Sequence, residues 1–231
     1  MQISIIIPTI NEAENIASLL EHLQTQSQPE NIAEIIVVDG GSQDQTITIA
    51  QAHKARVISS AKGRAQQMNA GAQVATGQIL YFLHADSLPP PNFDHDILTA
   101  HLEGYEAGSF RHQFDHNHPV LRLTSWMVNH TARVQLGDQS LFVTKSTFTT
   151  INGFDESLLI MEDSDLTYRL RQQYPTTQLN SPVVTSARKF RENGELRLFL
   201  IFFLIYLLYE FGASQKHLVT LYKRLIRQDK I

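Results

Sequence analysis

The chain has 231 residues, 42% of them hydrophobic and 18% charged, with a formal net charge of −4 and no cysteine. That composition excludes a disordered or collagen-like polymer, a disulfide scaffold, a thiol nucleophile and a thiolate metal site, and the length suits one large α/β domain. Charge is unevenly divided: residues 188–231 hold nine Lys and Arg against four Asp and Glu, while the body before them is acidic, so general nucleic-acid binding is disfavoured and the basic tail suits an anionic membrane surface or a phosphate-bearing ligand.

The N-terminus, Met1-Gln2-Ile3-Ser4, lacks the basic n-region of a signal peptide, so a cytoplasmic location is expected. Residues 3–8 form a β-branched run, the mark of a strand buried on both faces. Ile16, Leu19, Leu20 and Leu23 then recur at helical spacing, with Asn11 as the expected N-cap and Glu14 three residues on. A second strand is read over 34–39, a short helix capped by Ser42 and Gln45 to about residue 53, and a third strand over 56–59. A helix follows over 64–75, stopped by Gly77, and then a buried strand over 79–83. Pro89-Pro90-Pro91 marks a change of direction before a helix over 94–103. Strands over 107–114 and 140–144 flank a helix over about 119–134, an amphipathic helix covers 163–173, and a last strand is read over 183–188. Alternation of this kind predicts an α/β fold with a mostly parallel sheet that binds ligands at the carboxyl ends of its strands.

Three acidic positions stand at such ends: Asp39, Asp86 and the pair Glu162-Asp163. Asp39-Gly40-Gly41-Ser42 is either a capped turn or a carboxylate that accepts from a base or a ribose hydroxyl. Asp86 either shapes a turn or holds a hard cation such as Mg²⁺ or Mn²⁺, which takes one or two carboxylates plus substrate phosphates. Lys62-Gly63-Arg64, followed by Asn69 and Gly71, offers cations and free amides near a helix start, the arrangement that holds a diphosphate, or else is a solvated loop. The turn after the first strand, Pro8 to Glu12, lacks the G-x-G-x-x-G of a dehydrogenase, and no G-x-x-x-x-G-K-[ST] loop is present. His112, His116 and His118 lie on an alternating strand and a loop, which argues against a histidine metal site.

Five segments then stand together in order: Ile5-Ile6-Ile7-Pro8-Thr9-Ile10-Asn11-Glu12, Val37-Val38-Asp39-Gly40-Gly41-Ser42-x-Asp44-x-Thr46, Gly63-Arg64-Ala65-x-x-Met68-Asn69-x-Gly71-Ala72, Leu83-His84-Ala85-Asp86 and Glu162-Asp163. Over about residues 1–190 the chain resembles the family 2 glycosyltransferases, inverting nucleotide-sugar enzymes of GT-A fold with a Rossmann-like central sheet. The resemblance implies that Pro8, Thr9, Glu12 and Asp39 hold the nucleoside, that Asp86 is the metal-binding acid of a D-x-D element, and that Asp163 is the general base. His84 replaces the first acid of D-x-D. Asn11, Lys62, Arg64, Asn69 and His84 complete the expected donor side. Asp138, Gln139, Glu162 and Arg188 are the candidates for the acceptor pocket or its rim, with Glu162 either capping the helix or binding acceptor. Gly137-Asp138-Gln139 reads equally as a plain turn, and Arg188, Lys189 and Arg191 either close over the diphosphate or are solvated.

Residues 198–209 are uncharged and span ~18 Å as a helix, short of a ~30 Å hydrocarbon core. They form either a core helix or an apolar/basic tail lying on a membrane surface, and the expected division is a transferase body over 1–190 and a helical tail over 191–231. The function expected from the whole is sugar transfer from a nucleoside-diphosphate donor to a hydroxyl acceptor, lipid-like or a precursor of a cell-surface glycan. A sugar-phosphate nucleotidyltransferase, which needs a Gly-rich basic loop after the first strand, and an inactive sugar-binding or membrane-tethered protein are the rivals.

Overall fold

The computed structural model of the chain describes residues 1–130 and 139–227. Eight strands form one sheet in the order β3-β2-β1-β4-β7-β6-β8-β5. The β-branched segment Ile3–Thr9 is β1; it pairs in parallel with β2 (Ile32–Asp39) on one side and β4 (Ile79–Phe82) on the other. Period-two alternation then sends neighbouring side chains to opposite faces. Ile3, Ile5, Ile7 and Tyr81 join one core cluster with α1 (Ile16–Gln26) and α4 (Phe93–Leu102). Ile6, Leu80 and Phe82 join another with α3 (Arg64–Val74) and α7 (Glu162–Gln173). With β3 (Arg56–Ser59) parallel to β2, the carboxyl ends of four adjacent strands lie on one edge. The helix α2 (Thr46–Ala52) crosses from β2 to β3.

The second half is mixed. β7 (Leu141–Thr144) runs antiparallel between β4 and β6 (Ala107–Phe114), and the two-residue β5 (Ser87–Leu88) pairs antiparallel with β8 (Thr176–Thr185). α5 (Pro119–His130) packs on β6, and α6 (Lys145–Thr150) follows β7. β8 corrects the expected strand over 183–188. It begins earlier, lies parallel to β6, and skips from Leu179 to Pro182 at a register shift that accommodates a proline without an N–H. After Thr185 the amide of Ser186 donates to the Asp86 carbonyl at 3.0 Å and that of Ala187 to Asp115 Oδ1 at 2.8 Å, so the chain turns away. Arg188 therefore opens a helix, α8 (Arg188–Asn193), rather than ending a strand.

Residues after α8 fold onto the body. α9 (Glu195–Glu210) and α10 (Gln215–Leu225) bury Leu198, Ile201, Ile205, Leu218 and Tyr222 against Phe114, Leu121, Ile160 and Phe190 in a third cluster. The other side of α9 remains open: Leu196, Leu200, Phe203 and Leu204 are 43–59% exposed. Among the described residues, no helix is long and apolar enough to cross a membrane.

Candidate active site

The carboxyl ends of β1 and β2 are joined by a net of short-range contacts between two loops. Asn11 does not cap α1, whose N-cap position is Asn15; instead it sits at φ 51° in the left-handed region. There its amide donates to Ser42 Oγ at 2.9 Å, and its Oδ1 accepts from the Gln43 amide at 2.8 Å. The Glu12 amide donates to Thr46 Oγ1 at 2.8 Å, while the Glu12 carboxylate accepts from Asn15 Nδ2 at 2.7 Å. Asp39, 3% exposed, accepts the amides of Gly41 and Ser42 at 2.9 and 3.0 Å on one oxygen, which fixes the turn and the carboxylate together. Pro8 and the buried Thr9 end β1 beside it.

A side chain that the motif reading passed over holds these two ends in place. Gln67, 3% exposed, donates from Nε2 to the carbonyls of Thr9 at 2.9 Å and Val38 at 2.8 Å. Gly71, one turn further along α3, faces the same strands; a Cβ there would fall 2.5 Å from Ile6 Cγ2. Asn69, expected on the donor side, is turned elsewhere: its Nδ2 donates to the Phe154 carbonyl and to Glu156 Oε1, both at 2.9 Å, and its Oδ1 accepts the Phe154 amide. It fixes α3 to the loop before α7. Lys62 is exposed on the loop preceding α3.

Beyond β4 a cavity of about 350 Å³ brings together Arg64, His84, Asp86, Glu162 and Asp163. Arg64 is the first residue of α3, directly after Gly63 at φ 144°, and its Nη1 lies 3.9 Å from Glu162 Oε1. His84 and Asp86 follow β4 in the turn that leads into β5. Glu162 and Asp163 open α7, where acids complement the helix dipole. The residue before them, Met161, is held at φ 68°, a conformation uncommon for a residue with a Cβ, and this sets the direction of both carboxylates.

Glu162 is 2% exposed, and its Oε1 has no hydrogen-bond partner. Burial, reinforced by the charge of Asp163 and only partly offset by Arg64, pushes its carboxyl up to about 7. The proton is thus held there to a higher pH than on an ordinary glutamate.

Much of the apolar part of the lining comes from the C-terminal helices. Phe199, Phe202, Phe203 and Tyr206 of α9 belong to it, with Phe190 of α8 and Tyr222 of α10. Lys189, beside Arg188 in sequence, also lines the cavity and donates from Nζ to Tyr222 Oη at 2.8 Å. Arg188 itself points to the β1–α1 loop, where its Nη1 is 3.0 Å from Glu14 Oε2. Gln139 is 1% exposed beside α5, with Nε2 3.4 Å from Asn129 Oδ1, and is not among the residues that line the cavity. Asp138 lies outside the described residues.

A divalent cation fits this donor set. The described residues contain no group of three or more His, Asp or Glu able to hold a metal alone, but Asp86 beside His84 offers the one or two protein ligands that Mg²⁺ or Mn²⁺ takes when phosphates and water supply the rest.

Comparison with known proteins gives the family and the fold. Residues 4–154 match the family model described as Glycosyl transferase family 2. Glycosyltransferase AglE of Haloferax volcanii is 36% identical over 94 residues, covering 38% of this chain and 31% of its own. A dolichol-phosphate mannosyltransferase of Pyrococcus furiosus is 32% identical over 115 residues, or 47% of this chain and 31% of its own. The chain therefore spans about a third of the length of these relatives. Among solved structures, TarS of S. aureus superposes with a TM-score of 0.69 at 18% identity, covering 97% of this chain and 43% of the other. A mannosyltransferase of Pyrobaculum calidifontis in complex with GDP-Man and Mn²⁺ gives 0.68 at 19% identity, with coverage of 88% and 62%. At these identities the likeness is one of fold, and that fold is GT-A.

Proposed function

The chain belongs to the family 2 glycosyltransferases, and on that premise we propose that it moves a sugar from a nucleoside-diphosphate donor to a hydroxyl acceptor, with inversion at the anomeric carbon. The observation that carries the reading is the cavity after β4 that Asp86, Asp163 and Arg64 line together. Pro8, Thr9, Asn11, Glu12 and Asp39, preset by the two cross-linked loops, form the nucleoside side. Arg64 stands where charge gathers on the departing diphosphate, with Lys62 on the loop before it. Asp86, with His84 beside it, would hold Mg²⁺ or Mn²⁺, which supplies charge neutralisation of the diphosphate when bound.

Asp163 acts as the base. As the acceptor oxygen forms its bond to C1, the bond from C1 to the diphosphate oxygen breaks with its electron pair, and the acceptor proton passes to the Asp163 carboxylate. Glu162, whose proton burial holds to a higher pH, is free to donate it in a hydrogen bond while Asp163 remains the acceptor of protons. Two adjacent carboxyls thereby take different roles. In this reading residues 1–190 are the transferase body and residues 191–231 the acceptor-side tail.

A lipid-like acceptor, or a lipid-linked precursor of a cell-surface glycan, is supported by the apolar part of the cavity lining. The exposed stripe on α9 beside Lys216, Lys223 and Arg224 of α10 suits peripheral attachment to an anionic membrane from the cytoplasmic side. The decisive experiment pairs two variants. Asp86→Ala should abolish Mn²⁺-dependent binding of the donor nucleotide, whereas Asp163→Asn should retain donor binding and lose about 10²–10⁴-fold in transfer. Transfer at wild-type rate by Asp163→Asn would remove the base from the mechanism.

A further inference from the structure

We propose that the acceptor is a neutral alcohol with an apolar body, and that α8, α9 and α10 select it by enclosing that body in an aromatic box; the proposal rests on the glycosyl-transfer reading of the same cavity. The box is continuous. His112 meets Phe114 at 4.4 Å between ring centroids, Phe114 meets Phe190 at 5.0 Å, Phe190 meets Phe202 at 5.7 Å, and Phe202 stacks on Tyr222 at 6.4 Å. All five rings line the cavity that holds Asp86 and Asp163. The chain of contacts runs from the end of the sheet across three helices, and Lys189 secures its far end by a 2.8 Å bond to Tyr222 Oη.

Three features choose the chemical class. First, Val128, Ile160 and this ring system give an apolar body a surface on which its burial costs no polar contact with water. Second, the base needs a proton to remove. An alcohol carries one on the attacking oxygen, while an ionised phosphate carries none. Third, Phe203 belongs to both environments: it lines the cavity and is 43% exposed, between Leu200 and Leu204 on the open side of α9. An apolar path thus leads from the surface to the carboxylates. The volume of about 350 Å³ is at the small end for organic ligands, so the box takes the hydroxyl-bearing end of a long acceptor or the whole of a compact one.

The test uses the full chain and isothermal titration with three probes in the absence of donor: farnesol, farnesyl monophosphate and methyl glucoside. Saturable binding of farnesol, at least tenfold tighter than either other probe, is expected. Phe203→Asp should weaken it at least tenfold, and Phe199→Ala, in the same lining one turn earlier, gives a second reading should the first variant fail to fold. No farnesol binding, preference for the phosphate or the glycoside, or unchanged affinity in a folded variant would overturn the proposal. A parallel titration with nucleoside diphosphates and Mn²⁺ tests the donor reading separately. Farnesol binding without nucleotide binding would leave the apolar site standing and sink the transferase assignment, and the reverse result would do the opposite.

Discussion

Glu162 and Asp163 are consecutive carboxylates with unequal surroundings. Because Glu162 holds its proton more tightly in the fold than in the unfolded chain, it binds protons on folding between about pH 4.5 and about 7, so its contribution to stability is full below that window and declines as pH rises through it. Glu162→Gln removes the linkage; its unfolding midpoint in urea should gain on wild type between pH 5 and pH 8, and parallel profiles for the two proteins would show that Glu162 does not titrate in that range. Gln67 acts by geometry instead. Gln67→Leu would leave the Thr9 and Val38 carbonyls without their side-chain donor, costing about 1–3 kcal/mol by urea unfolding and loosening the loops on which Asp39 and Asn11 sit. Strand-end acids were legible in the sequence because Asp39 and Asp86 follow apolar runs. Gln67 and Lys189 were not, since nothing local shows that an amide will span two carbonyls or that a lysine will donate to a tyrosine hydroxyl in another helix. Asn69 misled for the same reason: its neighbours Arg64 and Gly71 suggest a ligand site, but its partner Phe154 is 85 residues away.

At the scale of elements, the strands with the clearest pattern were the ones buried on both faces. β1 and β4 read directly from their runs, whereas the first half of β8 is mostly polar and Pro182 interrupts it, and its pairing with β6 and β5 makes it a strand. α3 shows how close packing becomes a testable quantity. Gly71→Ala would press a methyl against Ile6 and Val38, and the helix would have to lift from the sheet. A loss of about 1–3 kcal/mol is expected from chemical denaturation, and a neutral result would show that β1 and β2 yield. For α9 the sequence left core and membrane surface as alternatives because the segment is apolar on nearly every side. The structure gives it both an inner face, with Leu198 fully buried, and an outer one, with Leu200 54% exposed. Flotation should therefore show the full chain on anionic liposomes, with binding weakened by salt and retained in part, since each nearby Lys or Arg contributes ~1 kcal/mol before screening. Equal recovery with neutral and anionic vesicles would remove the role of α10's cations.

Over the whole molecule, two core clusters sandwich the sheet and a third joins α5, α8, α9 and α10 to its far end. Truncation after Gly194 would uncover Phe114, Leu121, Ile160 and Phe190; aggregation by light scattering is expected, and a monodisperse product with the wild-type melting temperature would show that the third cluster is dispensable. The alternation of strands and helices in the first half made the α/β class legible, because each such unit is local in sequence. The aromatic box was not, since it is assembled from β6, α8, α9 and α10, and Arg188 reaches Glu14 across 174 positions. That separation has a consequence in time. A ribosome adding about 5–20 residues per second needs roughly 3 to 12 s to go from Asp163 to Tyr222. During those seconds the nascent chain carries its acids and both cross-linked loops but not the aromatic rings of α8, α9 and α10. The carboxylates are made first, and the rings that share their cavity arrive last.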